Sequence, residues 1–272
     1  MTNDVSHSDL KPHLDWLYEG FNRRELVHPD PLEFLYLYPD PADMEIVGLV
    51  ASSLAYGRVA QILKSVSDVL DRMGSPMRYV VDTGRERFHS DMRGFKHRFA
   101  DGDDVAELLF GIKTAIKSFG STKQCFLSCC SSDDETVIPA LVRFVARLRD
   151  TAGGHNSHLL PCPSDGSPCK RLNLYLRWMI RNDDVDPGCW TGVTASKLVV
   201  PLDVHLHRIS RALGMTQRKQ ADMRAALEVT EGFRGIVPDD PVRYDFVLTR
   251  LGIRGDMKPD VFLRRCGVQG SE

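Results

Sequence analysis

The 272-residue chain predicts an all-α protein. Apolar residues recur at helical spacing in one segment after another, and alternating strand patterns are scarce. No internal repeat with a period of roughly 20–50 residues is visible. With 42% hydrophobic residues the chain can bury a real core, and its length suits one large domain or two lobes sharing a cleft.

In chain order, Ser8 is placed to cap a helix running to about Phe21, with Leu10, Leu14 and Leu17 inward. Asp30-Pro31 opens a short helix through Leu35 and Tyr38. Ala42–Tyr56 is almost wholly apolar (Ile46, Val47, Leu49, Val50, Leu54) and predicts a buried central helix ended by Gly57. Val59–Met73 continues as an amphipathic helix before Gly74-Ser75-Pro76 breaks the chain. The polar, basic text from Pro76 to Asp101 predicts short helices and loops. Asp103–Phe119 and Thr136–Arg149 predict two further helices, and Thr151–Pro168, rich in Gly, Ser, His and Pro, a long loop. Lys170–Arg181 is helical and is followed by a turn over Asn182–Gly188. A helix between Pro201 and Gly214, then Gln217–Gly232 and Pro241–Leu251, complete the set. Asp240 is the expected cap of the last, with Pro241 at its first position.

Several classes are excluded. No run of eighteen apolar residues exists and the Met1–Ser8 start is polar, which predicts a soluble, cytoplasmic protein without a membrane partner. Seven irregularly spaced cysteines with no C-x-x-C pair argue against a disulfide framework and against cysteine-based zinc or iron–sulfur sites. The nucleotide-binding motifs G-x-x-x-x-G-K and G-x-G-x-x-G and the hydrolase motif G-x-S-x-G are absent.

The net charge of −2 hides an asymmetry. Between Lys170 and Arg224, ten Lys/Arg face five Asp/Glu, an island of +5 in a remainder of −7. Such an island is either a localised phosphate contact or a solvated helical face. Within it, Leu202, Leu206, Ile209 and Leu213 form one apolar stripe, while Asp203 and His207 share another face with Arg208 and Arg211 beside it. Asp203 reads in two compatible ways, as a helix cap and as an acid working next to a polyanion. His205 and His207 invite a metal reading with Asp203, but residues two apart on a helix diverge, so no metal is expected. On Lys170–Arg181, Leu172, Leu176, Met179 and Ile180 face inward and Lys170, Asn173 and Arg177 lie on the other side. A lysine at the positive end of a helix, near Arg171 and Arg177, is placed to lose its proton and become a nucleophile, or simply to bind phosphate. Trp16, Trp178 and Trp190 are candidates for stacking on a base, or for the core.

The block Asp203-Val-His205-Leu-His-Arg208-Ile-Ser-Arg211-Ala-Leu-Gly214 resembles the D-x-H-x-x-R-V-x-x-R-L-G block of the helix-hairpin-helix DNA glycosylases, the endonuclease III and adenine-glycosylase superfamily. Glu45-Ile-Val-Gly-Leu-Val-Ala-Ser-Ser-Leu-Ala-Tyr-Gly57 is similar to that family's early buried helix. Tyr244-Asp-Phe-Val-Leu-Thr-Arg-Leu-Gly252, followed by Lys258-Pro259, is similar to its final one. The sequence also resembles a bacterial family attached to this superfamily. The glycine-rich hairpin L-P-G-V-G-x-K-T is missing, and Cys169-Lys170-Arg171-Leu172 opens a helix instead. Lys170 precedes Asp203 by 33 residues, a separation similar to that of the archaeal 8-oxoguanine glycosylase branch. Lys197, six residues before Asp203, is the rival lysine.

The resemblance implies a fold of two helical lobes, approximately 42–150 and 1–41 with 169–272, joined through the 151–168 loop. It implies a monomeric base-excision glycosylase and AP lyase that needs no cofactor and acts on double-stranded DNA carrying an altered purine, 8-oxoguanine being one candidate. Asp203 and Lys170 are then the catalytic residues. Arg177, Arg181, Lys197, His205, Arg208 and Arg211, with backbone N–H groups near Val199–Asp203, are the expected DNA contacts. The family's DNA-wedging glutamine falls near Ala55 or Tyr56, so Tyr56 or Arg58 inherits that role. Two other readings stay open: a non-catalytic binder of damaged or bent DNA, and a metal-dependent hydrolase using Asp203, His205 and His207.

Overall fold

The computed structural model describes residues 7–150, 158–251 and 258–268. Residues 1–6, the stretch 151–157 of the expected loop, and Gly252 of the final sequence block lie outside them. Among the described residues the protein is all-α, its only sheet being a short hairpin.

Helix α1 (His7–Phe21) buries Leu10, Leu14 and Leu17 completely, each contributing roughly 1.5–3 kcal/mol. His7 already belongs to it, so Ser8 lies inside the helix rather than at its cap. Asp30 caps a tight 3₁₀ helix over Pro31–Leu37, accepting from Leu32 N at 2.9 Å while the Glu33 carboxylate reaches back to Asp30 N. In α2 (Pro41–Ser53) every residue from Met44 to Ser53 is buried, as expected of a central helix. It ends at Ser53, and the next five residues form a loop that leads to α3 (Val59–Met73).

Two short helices, α4 (Pro76–Asp82) and α5 (Arg85–Asp91), lead into the antiparallel hairpin of β1 (Lys96–His97) and β2 (Ala100–Asp101). Lys96 stands opposite Asp101 and His97 opposite Ala100. A capping box between Asp101 and Asp104 starts α6 (Gly102–Phe119). After α7 (Thr122–Leu127) and α8 (Ile138–Asp150) the chain reaches α9 (Lys170–Ile180). It finishes with α10 (Val204–Ala212), α11 (Met223–Arg234), α12 (Asp245–Arg250) and α13 (Pro259–Arg265).

The centre of the molecule is the packing of α2 on α9. A Cβ at Gly48 would lie 2.9 Å from Met179 Cε and 3.3 Å from the Tyr175 ring, so the glycine leaves room that these two α9 side chains fill. That packing carries the start of α9, with Lys170, toward the loop that follows α2. The expected helix over Pro241–Leu251 is shorter than its pattern, because α12 starts at Asp245 and Asp240 binds Arg181 instead of capping it. No described helix is long and apolar enough to cross a membrane.

Candidate active site

Lys170 and Asp203 meet. Lys170 is the first residue of α9, and Cys169 before it adopts φ 46°, ψ 37°, a left-handed conformation uncommon outside glycine and costing roughly 1 kcal/mol. Asp203 is the extended N-cap of α10, and its Oδ1 accepts from Leu206 N at 2.9 Å. Capping occupies one oxygen and aims the other, so Oδ2 lies 3.0 Å from Lys170 Nζ. Burial works against the Asp203 charge, but Lys170 and the Leu206 N–H more than offset it and hold the carboxyl below its ordinary range.

The pair lines a pocket of about 280 Å³, close to the lower end of the range typical of small-molecule sites, roughly 300–1,000 Å³. Five segments build it. Pro29–Pro31 and the loop Ala55–Gly57 supply two walls, and Val59 and Ile62 extend the second. Lys170, Leu174 and Arg177 come from one face of α9, since i, i+4 and i+7 align. Pro201, Asp203 and His205 come from the head of α10, and Asp245, Phe246 and Thr249 from α12.

Asp245 is the residue that reading the sequence alone did not single out. Its side chain is 2% exposed, Oδ2 binds Arg177 and, among the described residues, Oδ1 has no hydrogen-bond partner. Burial, reinforced by the neighbouring Asp203 charge and opposed by Arg177, raises its carboxyl to about 6. The available signal was a carboxylate directly preceding the apolar run Phe246-Val-Leu, a place for a buried acid.

Behind Asp245 runs a buried ion network. Arg177 bridges Asp245 and Asp186, and Asp186 also holds Arg181, which binds Asp183 at 2.8 Å and Asp240 at 2.9 Å. Burial disfavours both guanidinium charges, but the carboxylates outweigh it and raise the pKa of Arg177 and of Arg181. Arg177 and Arg181, expected as DNA contacts, are thus internal counter-ions with 3–4% of their side chains exposed. Their charges are spent on protein carboxylates, so neither is available to a phosphate.

The other expected site residues separate into those near the pocket and those away from it. His205 is exposed and lines the pocket, whereas His207 is buried on the opposite side and its Nε2 lies 3.1 Å from Arg218 O. The two imidazoles therefore do not converge with Asp203, and no described group of three His, Cys, Asp or Glu could hold a metal ion. Lys197 is away from the pocket lining, with its Nζ 3.3 Å from Ser132 O. Arg208 and Arg211 are exposed. Near Val199–Asp203 the N–H groups of Val200 and Leu202 are used internally, by Thr230 Oγ1 and Val200 O, which removes two of the expected phosphate donors.

Tyr56 forms part of the pocket wall and is held on several sides. Its hydroxyl donates to His97 O at 3.1 Å, His97 packs edge-on at 4.6 Å, and the Arg171 guanidinium lies over the ring at 4.7 Å. Arg58 is exposed two residues on. Of the tryptophans, Trp178 and Trp190 are core, Trp16 is partly exposed under Arg265, and none lines the pocket.

Against known proteins, a family model described as "Protein of unknown function (DUF2400)" matches residues 30–254. No curated protein and no solved structure matches the chain.

Proposed function

The chain belongs to the DUF2400 family, and for this member we propose a bifunctional DNA glycosylase/AP lyase that removes an altered purine flipped out of the duplex between two helical lobes. One observation carries the reading: Lys170 and Asp203, 33 residues apart and assigned by resemblance, lie 3.0 Å apart in a pocket.

The chemistry requires a neutral lysine. In the open pocket the pair is ionic, but a base that fills the pocket expels water and penalises both charges. The proton then passes from Lys170 Nζ to Asp203, an internal transfer that needs nothing from solvent. The free amine attacks C1′ of the sugar, forming the N–C1′ bond as the bond from C1′ to the base breaks. The departing base takes the electron pair and a proton. Asp245, an acid poised near 6 with a free oxygen, is the proposed donor. The attached amine, now positively charged, returns a proton to Asp245 while Asp203 passes its proton to O4′; the C1′–O4′ bond opens and leaves a Schiff base on Lys170, from which loss of a C2′ proton to water releases the 3′ phosphate. Asp203, once again ionised, stabilises the positive charge on the sugar-derived iminium. The exposed Arg208 and Arg211 supply phosphate contacts.

Borohydride trapping against duplexes carrying altered purines tests the reading. Wild type is expected to give a covalent adduct that Lys170→Ala abolishes and Lys197→Ala retains. An adduct that survives Lys170→Ala and vanishes with Lys197→Ala would move the nucleophile to Lys197. Absence of any adduct together with tight binding to lesion duplexes would favour the non-catalytic binder.

A further inference from the structure

The hairpin between α5 and α6 carries the features of a device that enters a base stack. Its two-residue turn is Arg98-Phe99, and Phe99 stands 71% exposed, among the most exposed large apolar side chains described. Arg98 sits at φ 53°, where two-residue hairpins favour glycine or asparagine. Backbone strain held at an arginine, where glycine would be easier, points to a need for that side chain. Residues 93–99 bring three cations, Arg93, Lys96 and Arg98, and no carboxylate.

The turn is fixed and it adjoins the pocket. His97, fully buried next to it, lies 2.9 Å from Ser65 Oγ through Nδ1 and 3.0 Å from Tyr56 O through Nε2. Gly57, on the pocket lining at φ 101°, leaves the space that the Arg98 stem fills: a Cβ there would lie 2.8 Å from Arg98 Cδ. Arg98 in turn places its guanidinium 5.6 Å from the Phe99 ring centre. Tyr56, pinned at its hydroxyl and on its faces, is not free to leave the wall, so the exposed ring beside the pocket is Phe99.

We propose that the Arg98-Phe99 turn is a rigid wedge for duplex DNA, Phe99 inserting between base steps beside the pocket while Arg98 and the exposed Arg58 contact the flanking phosphates. This rests on the DNA reading above and adds to it how the duplex is opened. An exposed aromatic ring beside the Arg98 guanidinium, on a turn held by hydrogen bonds from buried His97, suits a stacked polyanion. The ring repays part of the unstacking cost by stacking on the base left behind.

The test uses a duplex with a tetrahydrofuran abasic site and 2-aminopurine beside it, so that no glycosylase activity is needed. Wild type is expected to raise the fluorescence several-fold on binding. Phe99→Ala should lose most of that rise and bind about tenfold more weakly, and Phe99→Trp should restore both. Phe99 is exposed, so these variants are expected to fold. Equal fluorescence from wild type and Phe99→Ala, or wild-type binding without a rise, would overturn the wedge and leave the DNA reading standing. Failure of wild type to bind the duplex would instead overturn the DNA reading itself. Binding of wild type to anionic phosphatidylserine vesicles that Phe99→Ala loses would assign the turn to a lipid surface and overturn the wedge.

Discussion

Tyr56 and His97 hold each other by two opposed hydrogen bonds: the Tyr56 hydroxyl donates to the His97 carbonyl, and His97 Nε2–H donates to the Tyr56 carbonyl. A carbonyl can only accept, which fixes the proton on Nε2 and leaves Nδ1 to accept from the Ser65 hydroxyl. The neutral imidazole is thus fully hydrogen-bonded, and burial, helped by the nearby Arg98 and Arg171 charges, lowers its pKa.

A depressed histidine contributes stability that is present above its unfolded value of about 6.5 and is lost as pH falls toward the folded value. His97→Gln should cost about 1–3 kcal/mol at pH 8 and reduce the loss of stability between pH 8 and pH 5. Urea unfolding at both pH values measures this. His89 gives the opposite sign, because its hydrogen bond to Asp103 raises its pKa, and its contribution is lost as pH rises. If His97→Gln keeps the wild-type pH dependence, the Tyr56–His97 clasp does not titrate.

Asp203→Asn should abolish borohydride trapping while costing less than about 1 kcal/mol in stability. The amide can still accept from Leu206 N and cap α10, but it carries no charge to hold Lys170 or the sugar cation. Full trapping by a folded Asp203→Asn would reduce Asp203 to a cap.

What could be read from the sequence was what local chemistry determines. The boundaries of α3 follow its apolar stripe, and Asp203 caps α10 because a carboxylate at that spot needs only its own next turn. The meeting of Lys170 with Asp203 is beyond what periodicity or capping can give, since 33 residues and two helix starts separate them. Elements that depend on distant partners were not legible. Helix α7 is started by Ser121 locally and by Glu45, whose carboxylate accepts from Thr122 Oγ1 at 2.6 Å and Lys123 N at 3.0 Å across 77 and 78 residues. Asp240 has the sequence context of a cap, yet Arg181 takes its carboxylate. The basic island misled for the same reason. Arg177 and Arg181 count toward its +5 charge, in which Asp183 and Asp186 are already included, but Asp240 and Asp245 from beyond the island also bind them inside the protein.

The two classes of arginine should therefore respond differently to substitution. Arg177→Ala leaves Asp245 and Asp186 without their shared cation and should destabilise by about 3–5 kcal/mol. Replacing Arg208 and Arg211 by Ala should change stability by less than about 0.5 kcal/mol. It should flatten the salt dependence of DNA binding by roughly two units of slope, equally for damaged and undamaged duplexes. Thermal unfolding and a salt titration of binding separate the two. An unchanged slope would return Arg208 and Arg211 to a solvated helical face.

The pH profile of the reaction should belong to Asp245. Proton exchange between Lys170 and Asp203 is internal and leaves no trace of bulk pH, whereas an acid that must be protonated to release the base does. With Asp245 raised to about 6, the trapping rate should be flat below that value and fall about tenfold per unit above it. Asp245→Asn should lower the rate at pH 5.5 by about 10²-fold and remove the inflection near 6. Arg177 can still donate to the amide oxygen, so the α9–α12 contact has a partner, and melting curves at the same pH check that the fold persists. A variant that is folded, slow and still inflects near 6 would place the acid elsewhere in the pocket. His205 is the first residue to examine there, since it lines the same wall as Asp203 and is exposed.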